Sequence, residues 1–361
     1  YENVIYLYAL KGIEREIGED HVIYVLVTYL PVPGHVGEMK TKPTQQAIRQ
    51  LSENGIFPDF ILCRAARPLD DIRKKKIETY ANIEADHIIS APDVSTAYSI
   101  PLNFEKDELG RKILDQFGLE ARRKPDWRNW ERLMNRIIHP DRIVKVAMVG
   151  KYVDIGDFRL VDSYISVNQS LEHAGAAVGA KVDISWIDAK EFEQDPLRVQ
   201  VLSEYDGILV PGAFGGTGAE GMIAAIRYAR EHRIPFLGLC YGLQVAVVEF
   251  ARHVCGMEDA NSAEIDPECS DKVIEFQPVQ RKLVEEHAYG GTMRLGAYAA
   301  ILKEGSQVLT LYQQTGRLEE DAVRIEEWKR STERAVQLGI LPENGHVVLE
   351  RHRHRYEVSP K

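Results

Sequence analysis

Five residues, Gly238-Leu239-Cys240-Tyr241-Gly242, place a thiol between two glycines where an apolar stretch, 235–238, gives way to a helical pattern, 243–253. A strand-to-helix turn this tight forces its middle residue into a strained conformation, and the flanking glycines relieve the crowding. The side chain then stands above a sheet at a helix N-terminus, where the dipole is expected to lower the thiol pKa. A thiolate in that place suits acyl transfer, because it attacks a carbonyl and holds the product as a covalent intermediate. The same spacing also fits a buried cysteine that simply opens a helix, and the spacing alone does not choose. A second element bears on the choice. Leu209-Val210-Pro211-Gly212-Ala213-Phe214-Gly215 follows the preceding apolar stretch with a glycine-rich loop, which can aim backbone N–H groups at a developing oxyanion beside the cysteine.

The elements that must position these residues read as an alternation. Strands are expected over 143–149, 182–188, 205–210 and 235–238, and helices over 163–174, 219–231 and 243–253. Strand–helix alternation with short connections predicts a mainly parallel sheet covered on both faces, whose ligands bind in the loops after the strands. The first hundred residues alternate in the same way. A patterned helix spans 5–17, and HVIYVLVTYL (21–30) reads as a buried strand. A helix with Pro43 in its first turn covers 43–53, and a short strand covers 60–63. A charged stretch with Pro125 and Pro140 marks a linker over 126–142, which separates an α/β domain at 1–125 from another at 143–361. The last expected helix, 318–338, is amphipathic, with Ala322, Ile325, Trp328 and Val336 as packing residues, and Gly339 and Pro342 close it.

A different chemistry is suggested by Lys40-Thr41-Lys42-Pro43-Thr44-Gln45. In an extended segment, residues two apart point the same way, so Lys40 and Lys42 can grip a triphosphate between them as point charges, although by themselves they more often mean a solvated lysine pair before a helix. Thr41, Thr44 and Gln45 offer hydrogen bonds, and the helix N-terminus after Pro43 adds a favourable dipole. The run Lys74-Lys75-Lys76 reads by itself as a solvated face.

Composition bounds the class. The chain has 361 residues, 44% of them hydrophobic, with 45 Lys+Arg against 55 Asp+Glu. Residues 1–150 hold 22 charges of each sign, so the net charge of −10 falls entirely on the remainder. That balance disfavours bulk binding of a nucleic acid polymer, which needs surplus lysine and arginine. No uncharged apolar run reaches the ~18 residues of a membrane span, and the N-terminus does not read as a secretory signal. The cysteines Cys63, Cys240, Cys255 and Cys269 form no CxxC pair, so neither a zinc site nor a disulfide framework is expected, and a cytoplasmic setting fits.

VPGAFG, GTGAEG, a helix and GLCYGLQ in this order resemble the class I glutamine amidotransferase domain, in which cysteine releases ammonia from glutamine. VGKY (149–152), IPFLGLCYGLQVAVVEFARHV, ANSAE (260–264), GGTMRLGA (290–297), ERHRHRYEV (350–358) and GEMKTKPTQ (37–45) are all similar to CTP synthases. The resemblance implies an α/β fold: part of a P-loop-type synthetase (amidoligase) domain, then the amidotransferase domain. It implies that ATP phosphorylates UTP and that ammonia from glutamine then displaces the phosphate to give CTP. It assigns Cys240 as nucleophile and glutamine to Ala213, Phe214, Tyr241, Gly242, Leu243, Gln244, Glu264 and Arg355. UTP, or CTP as inhibitor, falls to Lys40, Thr41, Lys42, Pro43, Thr44, Gln45 and Lys76, and ATP to Asp93 and Val94. A zwitterionic amino acid does need a carboxylate for its ammonium and an arginine for its carboxylate, as Glu264 and Arg355 provide. His352 and His354 read as structural.

The resemblance further implies a homotetramer and Mg2+ with ATP, its ligands and the phosphate loop lying upstream of Tyr1. The partner His and Glu of Cys240 are expected beyond Lys361, so the chain is expected to be a fragment of a longer enzyme. The alternatives are a degenerate relative, a CTP-sensing or filament-forming non-catalytic subunit, or another class I amidotransferase. Ala213 stands where the family has a second glycine; its Cβ is expected to hinder a positive-φ turn, at about 1 kcal/mol or more. The 318–338 helix is longer than the family's usual connection and is expected to add a subunit contact.

Overall fold

A computed structural model describes residues 3–35, 37–151, 154–155, 158–159, 164–276, 280, 294–330 and 345–359. The chain divides into two compact units, Tyr1–His139 and Pro140–Lys361. The first opens with α1 (Val4–Ile17), followed by β1 (Val25–Tyr29), α2 (Lys42–Glu53), β2 (Phe60–Ala65), α3 (Asp71–Ala81) and β3 (Ile88–Pro92). Helices α4 (Ile100–Lys106), α5 (Leu109–Gln116) and α6 (Arg128–Ile138) complete it. The strands form one parallel sheet in the order β1-β2-β3, with Val27, Leu62 and Ile89 in register. Alternate β2 side chains feed two layers: Ile61, Cys63 and Ala65 pack with Ile48 and Ile77, while Phe60 packs with Ile89 and Leu109.

One expectation needs correcting here. Residues 21–30 are not a buried strand: β1 begins only at Val25, and Val25, Val27 and Tyr29 are exposed. Among the described residues β1 pairs with β2 alone, at the end of the sheet, so apolar composition overstated its burial. Of the stretch 126–142, residues 126–139 lie in the first unit and 140–142 in the second, where Arg142 opens a strand. Within the first unit Trp130 Nε1 donates to the Tyr98 carbonyl at 2.7 Å, and Met134 is buried.

The second unit contains β4 (Arg142–Gly150), the two-residue strands β5 (Asp154–Ile155) and β6 (Phe158–Arg159), α7 (Ile165–Ala177), β7 (Ala180–Asp188) and α8 (Lys190–Gln194). These are followed by β8 (Gly207–Val210), α9 (Ala219–His232), β9 (Phe236–Gly238) and α10 (Tyr241–His253). The central sheet is all parallel in the order β7-β4-β8-β9. Its core joins Ala147, Val149, Ile208 and Val210 to Met222 and Ile226 of α9 and to Val245 and Val248 of α10. Beyond it lie β10 (Ala260–Ser262), β11 (Asp271–Phe276), β12 (Arg294–Leu302), α11 (Gln307–Gln314), α12 (Arg317–Arg330), β13 (His346–His354) and β14 (Tyr356–Val358). A buried carboxylate fastens α12 to β13. Asp321 accepts from Arg317 Nε and from the Leu349 amide, both at 2.9 Å, while Arg317 Nη2 donates to the Leu349 carbonyl at 2.7 Å. The expected continuation of that helix over 331–338, its closure at Gly339 and Pro342, residue 163 at the start of α7, Tyr152, and 290–293 of GGTMRLGA lie outside the described residues.

Helix α10 sits unusually close to the sheet. A methyl on Gly242 would overlap the Val210 carbonyl oxygen, and one on Gly238 would stand 2.7 Å from the Gly242 carbonyl. Gly242→Ala therefore forces α10 off β8 and is expected to cost about 3 kcal/mol, at the upper end of overpacking penalties. The shift of the urea midpoint at unchanged m-value measures it.

Candidate active site

Three neighbouring strands end at one level. Val210 is in register with Gly238, and Met148 of β4 with Leu209 of β8. The residues that follow, Lys151 after β4, Pro211–Gly215 after β8 and Cys240 after β9, therefore leave the same carboxyl edge, where α/β sheets bind ligands. Cys240 adopts φ +53° and ψ −105° as the residue before α10. It is an exposed free thiol in the left-handed half of φ space, as the tight-turn reading requires. The loop after β8 faces it, for a methyl on Gly212 would lie 3.6 Å from Cys240 Cβ.

Two details differ from expectation. The thiol pKa is raised rather than lowered. Desolvation by the surrounding protein is the largest cause and the charge of Glu264 adds to it; the Tyr241 amide pulls the other way but does not prevail. The helix N-terminus thus helps without producing a standing thiolate. Nor does Ala213 carry a positive φ: in this loop that conformation falls on Gly215, at +72°, and the Ala213 methyl is buried in the core beneath.

Glutamine was assigned to residues that the fold distributes as follows. Phe214 and Leu243 are exposed, whereas Tyr241 and Gly242 are buried. Tyr241 Oη donates to the Gly215 carbonyl at 2.7 Å, and the Gly215 amide donates to Glu264 Oε1 at 2.7 Å. Gln244 is turned inward, where its Nε2 donates to the Tyr356 carbonyl at 2.9 Å and ties α10 to the strand that follows Arg355. That oxygen also accepts from His354 Nδ1 at 2.9 Å, and His352 Nδ1 lies 2.8 Å from His354 Nε2, so both histidines brace the strand end. Arg355 Nη1 donates to Gln280 Oε1 at 2.9 Å. Sequence reasoning gave no role to Lys151. It is nearly buried and contacts Phe214, Gly215 and Tyr241. The signal was available: a lysine directly after an apolar central strand.

In the first unit the phosphate-grip geometry is different from the one expected. Thr41 is already helical in φ and ψ and α2 begins at Lys42, so the two-residue alternation that would align Lys40 with Lys42 is lost. Lys40 Nζ is paired with Glu38 at 2.7 Å, and Glu38 also receives Arg73 Nη2 at 2.9 Å. Thr44 is fully buried and accepts from Thr28 Oγ1 at 3.1 Å, which holds α2 to β1. Lys76 and Gln45 line one cavity of about 740 Å3 with Lys75 and Tyr80. Asp93 and Val94 line another of about 720 Å3, walled by Val27, Leu62 and Phe104, with Arg64 Nη2 3.3 Å from Asp93 Oδ1. Both volumes lie in the range of small-molecule sites.

Among the described residues, Glu84, Asp86 and His87 form the one cluster with metal-ligand spacing. It precedes β3, at the strand end opposite Asp93, and Lys112 Nζ stands 3.7 Å from Asp86 Oδ2. A lysine so placed opposes a divalent cation, and this cluster does not fit the Mg2+ of ATP.

Residues 1–119 match the family model of the CTP synthase N-terminus, and residues 159–361, more than half of the chain, match that of class-I glutamine amidotransferases. The chain belongs to the class I glutamine amidotransferases and joins that domain to a CTP synthase N-terminus. Curated relatives named CTP synthase include those of Methanopyrus kandleri, Methanocaldococcus jannaschii and Pyrococcus furiosus. They are 41%, 40% and 41% identical over 99%, 100% and 99% of this chain. The chain spans about 60% of the length of these relatives. A solved structure of the Trypanosoma brucei CTPS glutaminase domain with bound acivicin is 34% identical and covers 60% of this chain and 68% of that one, with a TM-score of 0.45.

Because Glu264 contributes to the raised thiol pKa, Glu264→Gln is expected to lower it and to speed alkylation of Cys240 by iodoacetamide near neutral pH. Peptide-resolved mass spectrometry across pH follows Cys240 separately from the exposed Cys255.

Proposed function

We propose that this chain forms the glutamine-hydrolysing part, and a portion of the synthetase part, of an enzyme that aminates UTP to CTP at the expense of ATP. The observation that carries the reading is Cys240, exposed at φ +53° on a strand-to-helix turn and faced by the VPGAFG loop. In the reaction, Sγ bonds to the side-chain amide carbon of glutamine and the tetrahedral oxyanion takes hydrogen bonds from backbone amides. Those of Tyr241 and of the loop around Ala213 are the candidates. Collapse breaks the C–N bond, the thiol proton leaves on ammonia by way of a base, and water then hydrolyses the thioester to glutamate. The raised thiol pKa explains why a base is needed. We leave that role to the family's His and Glu.

Glu264 and Arg355 are suited to the ammonium and carboxylate of the substrate. Phe214, Leu243 and the first turn of α10 would line its path. In the synthetase part, the cavity with Gln45 and Lys76 suits the uridine nucleotide, with Lys40 and Lys42 at the entrance to α2, and the one with Asp93 and Val94 suits ATP, which acts with Mg2+. ATP then phosphorylates the uracil 4-oxygen and ammonia displaces the phosphate. CTP as feedback inhibitor, a homotetramer and a cytoplasmic location belong to the same reading. No described helix is long and apolar enough to cross a membrane.

The deciding experiment uses the full-length protein with UTP, ATP and either glutamine or ammonia. Cys240→Ala is expected to abolish CTP formation from glutamine and to retain it from ammonia; loss of both, or of neither, sinks the reading. Lys76→Ala is expected to raise KM for UTP about tenfold with little change in kcat, as removal of uniform binding does.

A further inference from the structure

Lys151 is 8% exposed, a condition rare for an ammonium. Its stem passes the start of α9, where a methyl on Gly218 would lie 3.5 Å from Lys151 Cγ. Its Nζ donates to the Phe214 carbonyl at 3.0 Å, to the Gly215 carbonyl, and to Tyr241 Oη at 3.2 Å, and it lies 4.3 Å from the centroid of the Tyr241 ring. Three N–H groups meet three oxygens, so the buried charge is fully hydrogen-bonded.

We propose that Lys151 is a positioning residue for glutamine hydrolysis, its ammonium fixing the orientation of the Phe214–Gly215 peptide and hence of the loop that faces Cys240. The proposal rests on the reading of Cys240 as nucleophile. In a trans peptide the C=O and N–H point in opposite directions. With Phe214 O drawn to Lys151, the Gly215 N–H is directed to the far side, where Glu264 Oε1 accepts it at 2.7 Å. A cation and a carboxylate thus hold one peptide from both sides. Two residues upstream of Phe214, Gly212 abuts Cys240. If the peptide turned over, Glu264 would be released and the loop would shift against the thiol, and misplacement on the ångström scale costs on the order of 10²-fold in rate.

Among the described residues, the charged and titratable groups facing Lys151 are Glu264 from the loop after β10, Glu193 from α8 and Tyr241 from α10. Burial outweighs the two carboxylates and brings the ammonium to about 8. Its proton is therefore lost within an accessible assay range. A lysine of purely structural use behaves differently: its removal leaves the Phe214 and Gly215 carbonyls short of a donor and lowers the thermal midpoint, but it leaves the pH dependence of hydrolysis by the folded protein unchanged.

The test measures glutamine hydrolysis by the full-length protein against pH, for wild type, Lys151→Met and Cys240→Ala, together with thermal midpoints. The expected result is a fall of about 10²-fold in kcat/KM for Lys151→Met, comparable to loss of an oxyanion donor, measured below a thermal midpoint that shows the variant folded. Wild type should lose kcat/KM above about pH 8, and the Met variant should lack that limb. A Met variant within about threefold of wild type near neutrality, or one that keeps the alkaline limb, overturns the proposal. If the variant does not fold, a wild-type profile flat through pH 8 overturns it alone. Hydrolysis that is absent from wild type, or that survives Cys240→Ala, removes the nucleophile reading itself and this proposal with it.

Discussion

Helix α10 approaches β8 so closely that only a hydrogen atom fits between Gly242 Cα and the Val210 carbonyl, and the geometry of the site follows from that contact. With the helix that close, the chain cannot leave β9 by a wide loop. It turns within Leu239 and Cys240, the Leu239 amide bonds to Val210 O at 2.9 Å, and the Gly242 amide closes back on Leu239 O at 2.9 Å. Cys240 absorbs the turn by taking φ +53°, at a cost of order 1–3 kcal/mol that the surrounding core must outweigh. The same contact sets the Tyr241 amide at the first helical position, where it hydrogen-bonds to the thiol.

The electrostatics of the site are arranged by burial more than by pairing. Desolvation raises Cys240, which favours its thiol form, and lowers Lys151 to about 8. Glu264 acts on both, opposing the thiolate and supporting the ammonium, while its own oxygen is committed to the Gly215 amide. A ligand ammonium near Glu264 would weaken its hold on both groups at once, which couples substrate charge to the acidity of the nucleophile.

The alternation from β4 to α10 was legible because β4, β8 and β9 carry apolar runs next to glycine or proline. The nucleophile turn was legible for the same reason: Gly238 and Gly242 stand where no Cβ fits. What misled was context. HVIYVLVTYL has the composition of a buried strand, yet β1 is an end strand with one exposed row. KTKPTQ was read as extended up to the proline, whereas Thr41 already has helical angles, which rotates Lys42 away from the direction of Lys40. Ala213 was expected to strain a turn whose left-handed position belongs to Gly215. Lys151 escaped notice because nothing in its neighbours along the chain shows burial; its partners lie 63 to 90 residues away.

The first unit obeys the same strand-end rule with weaker anchors. Asp93 and Val94 follow β3 directly and Arg64 lies near the carboxyl end of β2, so the cavity they share is placed by sheet register. Lys40 is held otherwise: Glu38 bridges it to Arg73, and Arg73 in turn reaches the Met39 carbonyl at 3.3 Å and Asp70 at 2.7 Å. Lys40 and Glu38 are both partly exposed, so solvent screens their ion pair and it contributes little. A phosphate, with more charge and more acceptor oxygens than a carboxylate, competes with Glu38 for the same two cations. The contact therefore keeps the lysine near α2 by a solvent-screened pair, whereas in the second unit the ammonium that holds the Phe214 and Gly215 carbonyls is itself buried.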